Sequence, residues 1–377
     1  MSGAPILPAT VREMFHLPAG AGYFMAHSVG AQPRATAEAM AAHYLKPWQT
    51  KAAGAWEDWL AAIEAFRETL ARFIGAVPAE LCPQPGVSVA LDRYLGSLPL
   101  PYKAGRRTIL LSAESFASIG YVASAAQGLG YKPRFIEGPP DALESWIAAM
   151  DDDTAIILPM HVYSNSGRVA PIAEIASAAR QRRIITIVDV AQSIGILPVT
   201  PREWGVDALI GSSVKWLGGG PGAGWLWVPE AVIPDLLPRS VGWWSHEAPF
   251  EMDINSFRYA PDALRFWGGT PDIAPFIAAR AGIETIAAIG QPAIRSHNQM
   301  LQTIFLDVMR GARPDWHWPD HTIGGTICVG LGDDKDRVAA LITEAAVQAD
   351  FRQDVMRLSF ASWNSAEEVT ALARLLA

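Results

Sequence analysis

Short apolar runs alternate with helical segments through the middle of this 377-residue chain. Strands are predicted at residues 108–111, 133–136, 154–159 and 184–188, and helices at 116–129, 140–150 and 171–181. Two more strands are predicted at 206–210 and 225–228. Strands that alternate with helices form a mainly parallel sheet with right-handed crossovers, and ligands bind such a sheet at the carboxyl ends of its strands. The pattern therefore predicts an α/β fold with a functional site along that edge.

Two candidate catalytic residues follow neighbouring strands of this pattern. Asp189 comes directly after one strand, and Lys215 follows the next, just before a glycine-rich stretch at residues 218–222. Taken singly, such an Asp is more often a turn former or a helix cap, and such a Lys is more often a solvated charge. Together they suit a pyridoxal phosphate (PLP) site. The lysine would bind the cofactor aldehyde as a Schiff base, and the acid would keep the ring nitrogen protonated.

The same stretch resembles the class V branch of the fold-type I PLP enzymes, and within it most closely the kynureninases. The similar features are Asp-Val-Ala-Gln at 189–192, Trp-Gly-Val-Asp at 204–207, and Lys215 followed by Trp-Leu-Gly-Gly-Gly-Pro-Gly. Gly-Trp-Trp-Ser-His at 242–246 and Arg-Phe-Trp-Gly-Gly-Thr-Pro at 265–271 resemble kynureninase motifs that other class V enzymes lack. The resemblance implies a fold-type I architecture with a mainly parallel seven-stranded sheet between helices.

The resemblance also implies two domains. The large PLP-binding α/β domain is predicted at residues 18–275, and a small α+β domain at 276–377, joined by the N-terminal segment 1–17. Ahead of the sheet we predict helices at 35–44 and 56–74, connected by a loop at 45–55. After it we predict helices at 273–289, 336–349 and 367–376, with strands at 325–330 and 355–360.

Several residues besides Lys215 and Asp189 match positions that bind the cofactor in the family. Backbone amides at a helix start would hold the phosphate, an aromatic ring would stack on the pyridine, and one of two serines would donate to the phosphate. A Trp and a Thr would reach the phosphate of a partner subunit, which implies a homodimer with shared sites. These residues are, in chain order, Val87, Ser88, Phe116, Gln192, Ser212, Ser213, Trp243 and Thr270.

Some of these positions have ordinary structural explanations. Val87 and Ser88 also fit a plain helix start with Ser as the cap, and Phe116 also fits a hydrophobic staple. Gln192 stands where kynureninases carry His, and it could donate to the phenolic oxygen of the cofactor. The choice between Ser212 and Ser213 for the phosphate stays open.

Three residues are implied to bind the substrate, a small-molecule amino acid: Ser28, His246 and Arg357. An arginine inside an apolar strand suits a bidentate contact with the α-carboxylate. The chain departs from the family at nearby positions. His27 replaces an Asn, Val214 replaces the Tyr before the lysine, and residues 45–55 lack a substrate-facing His.

Composition narrows the classes of partner and compartment. There are 30 basic and 38 acidic residues, a formal net charge of −8, with no basic run, which argues against a nucleic acid partner. The two cysteines fit a reducing cytoplasm, and the N-terminus lacks the pattern of a signal peptide. No apolar run is long enough to span a membrane, and no His/Cys cluster has metal-binding spacing.

Three functions fit these observations. The first is a kynureninase-like hydrolase that cleaves the Cβ–Cγ bond of a γ-oxo amino acid to alanine and a carboxylic acid. The second is a class V aminotransferase or a β-lyase that uses the same lysine, which Gln192 and Val214 make credible. The third is a non-enzymatic relative that binds PLP. A cysteine desulfurase is disfavoured because Cys328 lies within an apolar run and Cys82 precedes the phosphate helix.

Overall fold

The alternating pattern builds a seven-stranded sheet. The computed structural model describes residues 7–20, 22–99 and 105–377, so residues 1–6 of the predicted N-terminal segment lie outside the described residues. The strands of the sheet, in chain order, are β1 Leu81–Gln84, β2 Thr108–Leu111, β3 Lys132–Phe135, β4 Thr154–Ile157, β5 Ile185–Asp189, β6 Ala208–Ser212 and β7 Gly224–Trp227.

The order of the strands across the sheet is β1-β7-β6-β5-β4-β2-β3, and β7 alone runs against its two neighbours. The five strands from β6 to β3 are consecutive parallel pairs. Every residue of β1, β2 and β7 is buried, as expected for strands covered on both faces. The prediction of a mainly parallel seven-stranded α/β sheet is confirmed.

Helices cover the sheet and build the C-terminal part of the chain. They are α1 Ala9–Arg12, α2 Ala35–Met40, α3 Lys46–Lys51, α4 Trp56–Ile74, α5 Val87–Ser97, α6 Ala117–Ala125, α7 Leu143–Ala149, α8 Ile172–Gln181, α9 Pro201–Trp204, α10 Ala274–Ile289, α11 Gln291–Ala312, α12 Lys335–Glu344 and α13 Ala366–Leu376. Short 3₁₀ turns lie at Pro78–Glu80, Ala126–Leu129, Glu230–Asp235, Trp243–Ser245, Ala263–Phe266 and Gly332–Asp334.

A second, smaller sheet lies in the C-terminal part. It consists of β8 Thr326–Gly330, β9 Asp350–Arg352 and β10 Val355–Ser359, with β10 in the middle and antiparallel to both. Two-residue strands pair Phe15–His16 with Gln32–Pro33, and Gly22–Tyr23 with Val347–Gln348. The last pair joins residues near the N-terminus to the C-terminal part of the chain.

Two sequence predictions were wrong in detail, and some elements were not predicted. Residues 45–55 are helical instead of a loop, because Ala41–Leu45 forms a π-helical turn that leads into α3 and then into a 3₁₀ turn at Ala52–Ala55. The long helix α11 and the strand β1 were not predicted. The helix predicted at 336–349 ends at Glu344, and Ala346, with a φ of 52°, begins a change of direction into a short strand.

The apolar side chains form two cores. The larger one surrounds the seven-stranded sheet and includes Ile277 and Ile283 of α10. The smaller one includes Leu301 and Phe305 of α11, side chains of the smaller sheet, and Phe24 from the N-terminal part. The domain boundary at 275/276 stays a prediction, although α10 packs with the large core. In the described part of the chain, no helix is both long and apolar enough to cross a membrane.

Candidate functional site

The carboxyl ends of β5 and β6 bring Asp189 and Lys215 to the same edge of the sheet. Asp189 is the last residue of β5 and pairs with Ile210 of β6, five residues before Lys215. The turn that carries Lys215 is closed by the Gly218 amide, which donates to the Lys215 carbonyl at 2.9 Å. The Gly30 amide donates to the carbonyl of Val214 at 2.8 Å. A Cβ atom at Gly30 would lie 2.0 Å from the Lys215 carbonyl oxygen, so the chain can pack this closely on the Lys215 turn only with glycine at position 30.

Asp189 is a buried acid whose side chain makes one hydrogen bond with the described residues. Its side chain accepts from the Ala191 amide at 2.8 Å, and the residue is 2% exposed. Burial raises the pKa of the Asp189 carboxyl, and the charge of Lys215 acts in the opposite direction. A buried carboxylate with so little compensation favours a cationic partner. The protonated nitrogen of a pyridine ring is such a partner, so this acid fits PLP.

Lys215 has an unusually low affinity for its proton. Burial lowers the pKa of the Lys215 amine to about 8, Asp189 acts to raise it, and Arg352 and Arg357 lower it further. Its Nζ atom lies 5.7 Å from the centroid of the Phe116 ring. Phe116 precedes α6, and its backbone amide lies 3.1 Å from the sulfur of Met160. The amine therefore faces the aromatic ring that the sequence predicts to stack on the cofactor.

The start of α5 lies beside the end of β6. Helix α5 begins at Val87 without a side-chain cap, which leaves its first amides, including that of Ser88, for a ligand. A Cβ atom at Gly224 would lie 2.5 Å from the Cα of Gly86, and Gly224 pairs with Ser212 in the sheet. Gly86 and Gly224 thus let the start of α5 approach the part of the sheet where Gly224 pairs with Ser212. An anion such as a phosphate fits this place.

The two candidate serines differ in their surroundings. Ser213 is fully buried, and its hydroxyl has no hydrogen-bond partner among the described residues. A Cβ atom at Gly219 would lie 2.7 Å from that of Ser213, so this serine packs under the glycine-rich turn. Ser212 is only half-buried. The accessibility of the two side chains favours Ser212 as the phosphate donor, and both assignments stay predictions.

A network of charged side chains reaches the same edge from the smaller sheet. Asp350 of β9 and Arg357 of β10 are cross-strand partners. The Arg357 Nε donates to Asp350 Oδ1 at 2.8 Å, and its Nη2 donates to the second carboxylate oxygen. His27 Nε2 lies 3.0 Å from Asp350 Oδ1, and His27 Nδ1 lies 2.6 Å from the hydroxyl of Ser359. One carboxylate therefore holds both an arginine and a histidine.

The pKa shifts in this network set the charges. Burial lowers the pKa of His27, against the effect of Asp350, so the imidazole is neutral near pH 7. Burial alone would raise the pKa of the Asp350 carboxyl, but hydrogen bonds from His27 and Arg357 lower it to about 2. Asp350 is thus ionised at neutral pH, and Arg357 is its cationic partner.

Gln192 makes a contact that its predicted role did not include. Its amide nitrogen donates to the backbone carbonyl of His27 at 3.0 Å, and the side chain is buried. Ser28, which is half-buried, follows His27 in the segment that packs on the Lys215 turn. The Gln192 contact anchors that segment over the carboxyl ends of the strands. Roles for Gln192 and Ser28 toward cofactor or substrate stay predictions.

Three predicted residues form a separate group. Trp243 Nε1 donates to the Thr270 hydroxyl at 3.2 Å. His246 accepts from the Ala248 amide at 2.9 Å through Nδ1, and its Nε2 lies 2.7 Å from the carbonyl of Ser256. Within the described part of this single chain, the hydrogen bonds of these three side chains involve their own segment and none reaches Lys215. Both ring nitrogens of His246 are committed to holding its loop.

Asp350 and Arg352 were not assigned roles from the sequence. The guanidinium carbon of Arg352 lies 5.5 Å from the Phe116 ring centroid, the same ring that Lys215 faces. The signal was present in the sequence, because residues two apart on a strand share a face. An acid and a base at positions 350 and 352, beside an apolar strand that contains Arg357, indicate a charged cluster.

The fold and this site define a PLP-dependent enzyme of fold type I. The chain belongs to the class V aminotransferase family, whose model, Aminotransferase class-V, matches residues 30–372. The chain is 30% identical over 311 residues to a kynureninase from Burkholderia pseudomallei strain 1106a, covering 79% of this chain and 73% of the relative. It is 29% identical over 364 residues to a kynureninase from Deinococcus radiodurans, covering 93% and 87%. Among class V enzymes the sequence is thus kynureninase-like.

Solved structures confirm the fold. An apo cysteine desulfurase from Thermococcus onnurineus NA1 superposes with a TM-score of 0.85 at 23% identity, covering 99% of this chain and 98% of that one. A mutant of C-DES with glycine covalently linked to its PLP cofactor superposes with a TM-score of 0.86 at 20% identity, covering 97% and 98%. At these identities the likeness concerns the architecture alone.

The Asp350 network predicts a specific pH dependence of stability. The pKa of the Asp350 carboxyl is about 2 in the folded protein and about 3.9 in the unfolded chain. The carboxylate therefore contributes its full stabilisation above the unfolded-state pKa, and this stabilisation is lost as the pH falls through the folded-state pKa. The unfolding free energy lost in Asp350→Asn should be largest near about pH 5 and shrink between about pH 4 and pH 2. Urea unfolding at several pH values measures this loss. Asp307→Asn, an exposed acid on α11, is the control. A loss in Asp350→Asn that is independent of pH would contradict the assignment.

Proposed function

We propose that this enzyme hydrolyses the Cβ–Cγ bond of a γ-oxo amino acid and releases alanine and a carboxylic acid. The site supplies groups that such a reaction needs, because Lys215, with a pKa of about 8, and the buried Asp189 lie at the edge of the sheet that the Arg357 cluster also reaches. The observation that carries the reaction class is the likeness to two kynureninases, at 30% and 29% identity. Bound PLP supplies an electron sink for the charge that develops at Cα when the proton is removed.

Lys215 is the candidate base for that proton. At a pKa of about 8, roughly a tenth of the amine is unprotonated at pH 7, far more than for an ordinary lysine. The surrounding arginines keep the amine from holding its proton more tightly. Asp189, ionised beside a cationic ring nitrogen, would hold the ring in its protonated state.

Arg357 is the candidate for binding the substrate α-carboxylate. Asp350 occupies the Nε and Nη2 side of its guanidinium, and the Ser164 carbonyl accepts from Nη1 at 3.2 Å. One N–H of each terminal nitrogen remains, and a carboxylate bound across this outer edge would use both. Asp350 is therefore a positioning residue that fixes the plane of the arginine.

Two alternatives from the sequence are weighed by the same site. An aminotransferase would use the same lysine and acid, and Val214, which lacks the hydroxyl of the family Tyr, keeps it in consideration. A desulfurase needs a reactive thiolate, yet burial raises the pKa of Cys82 and of Cys328 to about 12. The free, buried thiols also fit the proposed cytoplasmic location.

Product analysis tests the reaction. The purified holoenzyme should convert 2-amino-4-oxo acids to alanine and the matching carboxylic acid without any added 2-oxo acid. Lys215→Ala, with folding checked by its thermal transition, should lose at least about a thousandfold in rate, since it removes the base and the covalent attachment. Turnover that requires a 2-oxo acid would support transamination instead. Release of pyruvate would indicate a β-lyase.

We further propose that the active form is a homodimer. The segment around Trp243 exposes large apolar side chains, with Phe250 60%, Met252 63% and Ile254 93% exposed. A cavity of about 390 Å³ lies among Trp243, His246 and neighbouring residues of this segment. Exposed apolar area of this kind favours burial against another protein surface, and most soluble oligomers are two-fold. Trp243 and Thr270 would then reach the partner's site.

Subunit complementation tests the shared site. Lys215→Ala and Thr270→Trp should each be inactive as homodimers, the first without its lysine and the second with a blocked phosphate contact. Mixed dimers should regain one working site of two, because both lesions then fall in one pocket and leave the other intact. Activity after mixing, with heterodimers verified by tagged copurification, measures this. Verified heterodimers without activity, or a monomer in sedimentation, would contradict the proposal.

A further inference from the structure

Arg352 has a hydrogen-bonding pattern unlike that of its neighbour Arg357. Its Nη1 donates to the Ser164 hydroxyl at 3.2 Å and to Asn165 Oδ1 at 2.5 Å, and both acceptors are neutral. In the described residues no carboxylate lies within 4 Å of its guanidinium, and its Nε and Nη2 make no hydrogen bond. Burial lowers the pKa of Arg352, and the charge of Arg357 adds to this effect. A partly buried arginine without an anion is an uncompensated charge.

Both arginines are anchored on a single residue. Arg357 contacts the carbonyl of Ser164, and Arg352 contacts its hydroxyl. The two guanidinium groups therefore share one neighbour, and that of Arg352 also lies next to the Phe116 ring that Lys215 faces. The charge of Arg357 lowers the pKa of Arg352, so the two like charges repel each other, and an anion beside them offsets this repulsion.

The charges in this region do not balance. The two arginines carry two positive charges, Asp350 carries one negative charge, and His27 is neutral near pH 7. Lys215 and Asp189 are opposite charges to each other. The cluster is therefore one negative charge short, and the uncompensated cation is Arg352. One carboxylate on the ligand would complete it.

We propose that Arg352 binds the α-carboxylate of the substrate together with the outer edge of Arg357. This inference rests on the proposed action on an amino acid and names a second residue that recognises it. Arg357 is held by Asp350. Arg352 contributes a positive charge without a paired carboxylate among the described residues, and two nitrogens, Nε and Nη2, that can donate to a ligand. The single missing charge also favours an amino acid whose side chain is uncharged, since a second carboxylate would have no cation left.

The test compares two ligands that differ in the carboxylate. The holoenzyme is titrated with L-alanine and with ethylamine, and binding is followed by the absorbance of the bound cofactor. Arg352→Gln should weaken alanine binding roughly 10- to 100-fold, the loss expected for a charged hydrogen bond, and leave ethylamine binding unchanged. Arg352→Lys keeps the charge without the planar fork and should lie in between. Arg337→Gln, exposed and paired with Asp334, is the control and should match the wild type.

Two other binding patterns would overturn the proposal. Equal weakening of alanine and ethylamine would show that Arg352 only anchors the Ser164–Asn165 turn. Unchanged alanine binding with loss of L-aspartate binding would show that it serves a side-chain carboxylate. If the Gln variant does not fold, the Lys variant decides by the same ratio of alanine to ethylamine binding. A wild-type holoenzyme whose absorbance responds to no amino acid would instead contradict the proposed function, and this inference with it.

Discussion

The burial of Asp189 opposite Lys215 is the constraint on which the rest of the site depends. A carboxylate that is 2% exposed and has one backbone donor is costly to keep ionised. This cost falls at the end of β5, where the positively charged amine of Lys215, on the neighbouring turn, offsets part of it. Each charge shifts the pKa of the other group. Asp189 opposes the fall in the pKa of Lys215, and Lys215 opposes the rise in the pKa of Asp189. A cationic cofactor ring completes this pairing.

The glycines around Lys215 have a geometric purpose. Gly30, Gly219 and Gly224 each stand where a Cβ atom would lie under 3 Å from another part of the site. Their absence of side chains lets three segments converge: the N-terminal stretch, the turn after Lys215 and the start of α5. The convergence gives a lysine held by backbone hydrogen bonds beside a helix start that can hold an anion.

The sequence predicted the structure well where the pattern within a single strand or helix determines its bounds. Strand β2 and helix α4 begin and end where the periodicity predicts, and the positions of Asp189 and Lys215 followed from strands ending at a common edge. Helix α3 was taken for a loop, although Pro47 lies in its first turn, where proline is tolerated. Tertiary contacts were beyond a single sequence. The pairing of Asp350 with His27 joins residues 323 positions apart, and no local pattern encodes it.

The most direct measurement of the account is the identity of the lysine that carries the cofactor. The purified protein, loaded with PLP, is reduced with borohydride, digested and mapped by mass spectrometry, with Lys215→Ala treated in parallel. The account predicts the reduced cofactor on Lys215 alone and none in the variant. Label on another lysine of the wild type, or no label while bound PLP is visible by absorbance, would contradict it.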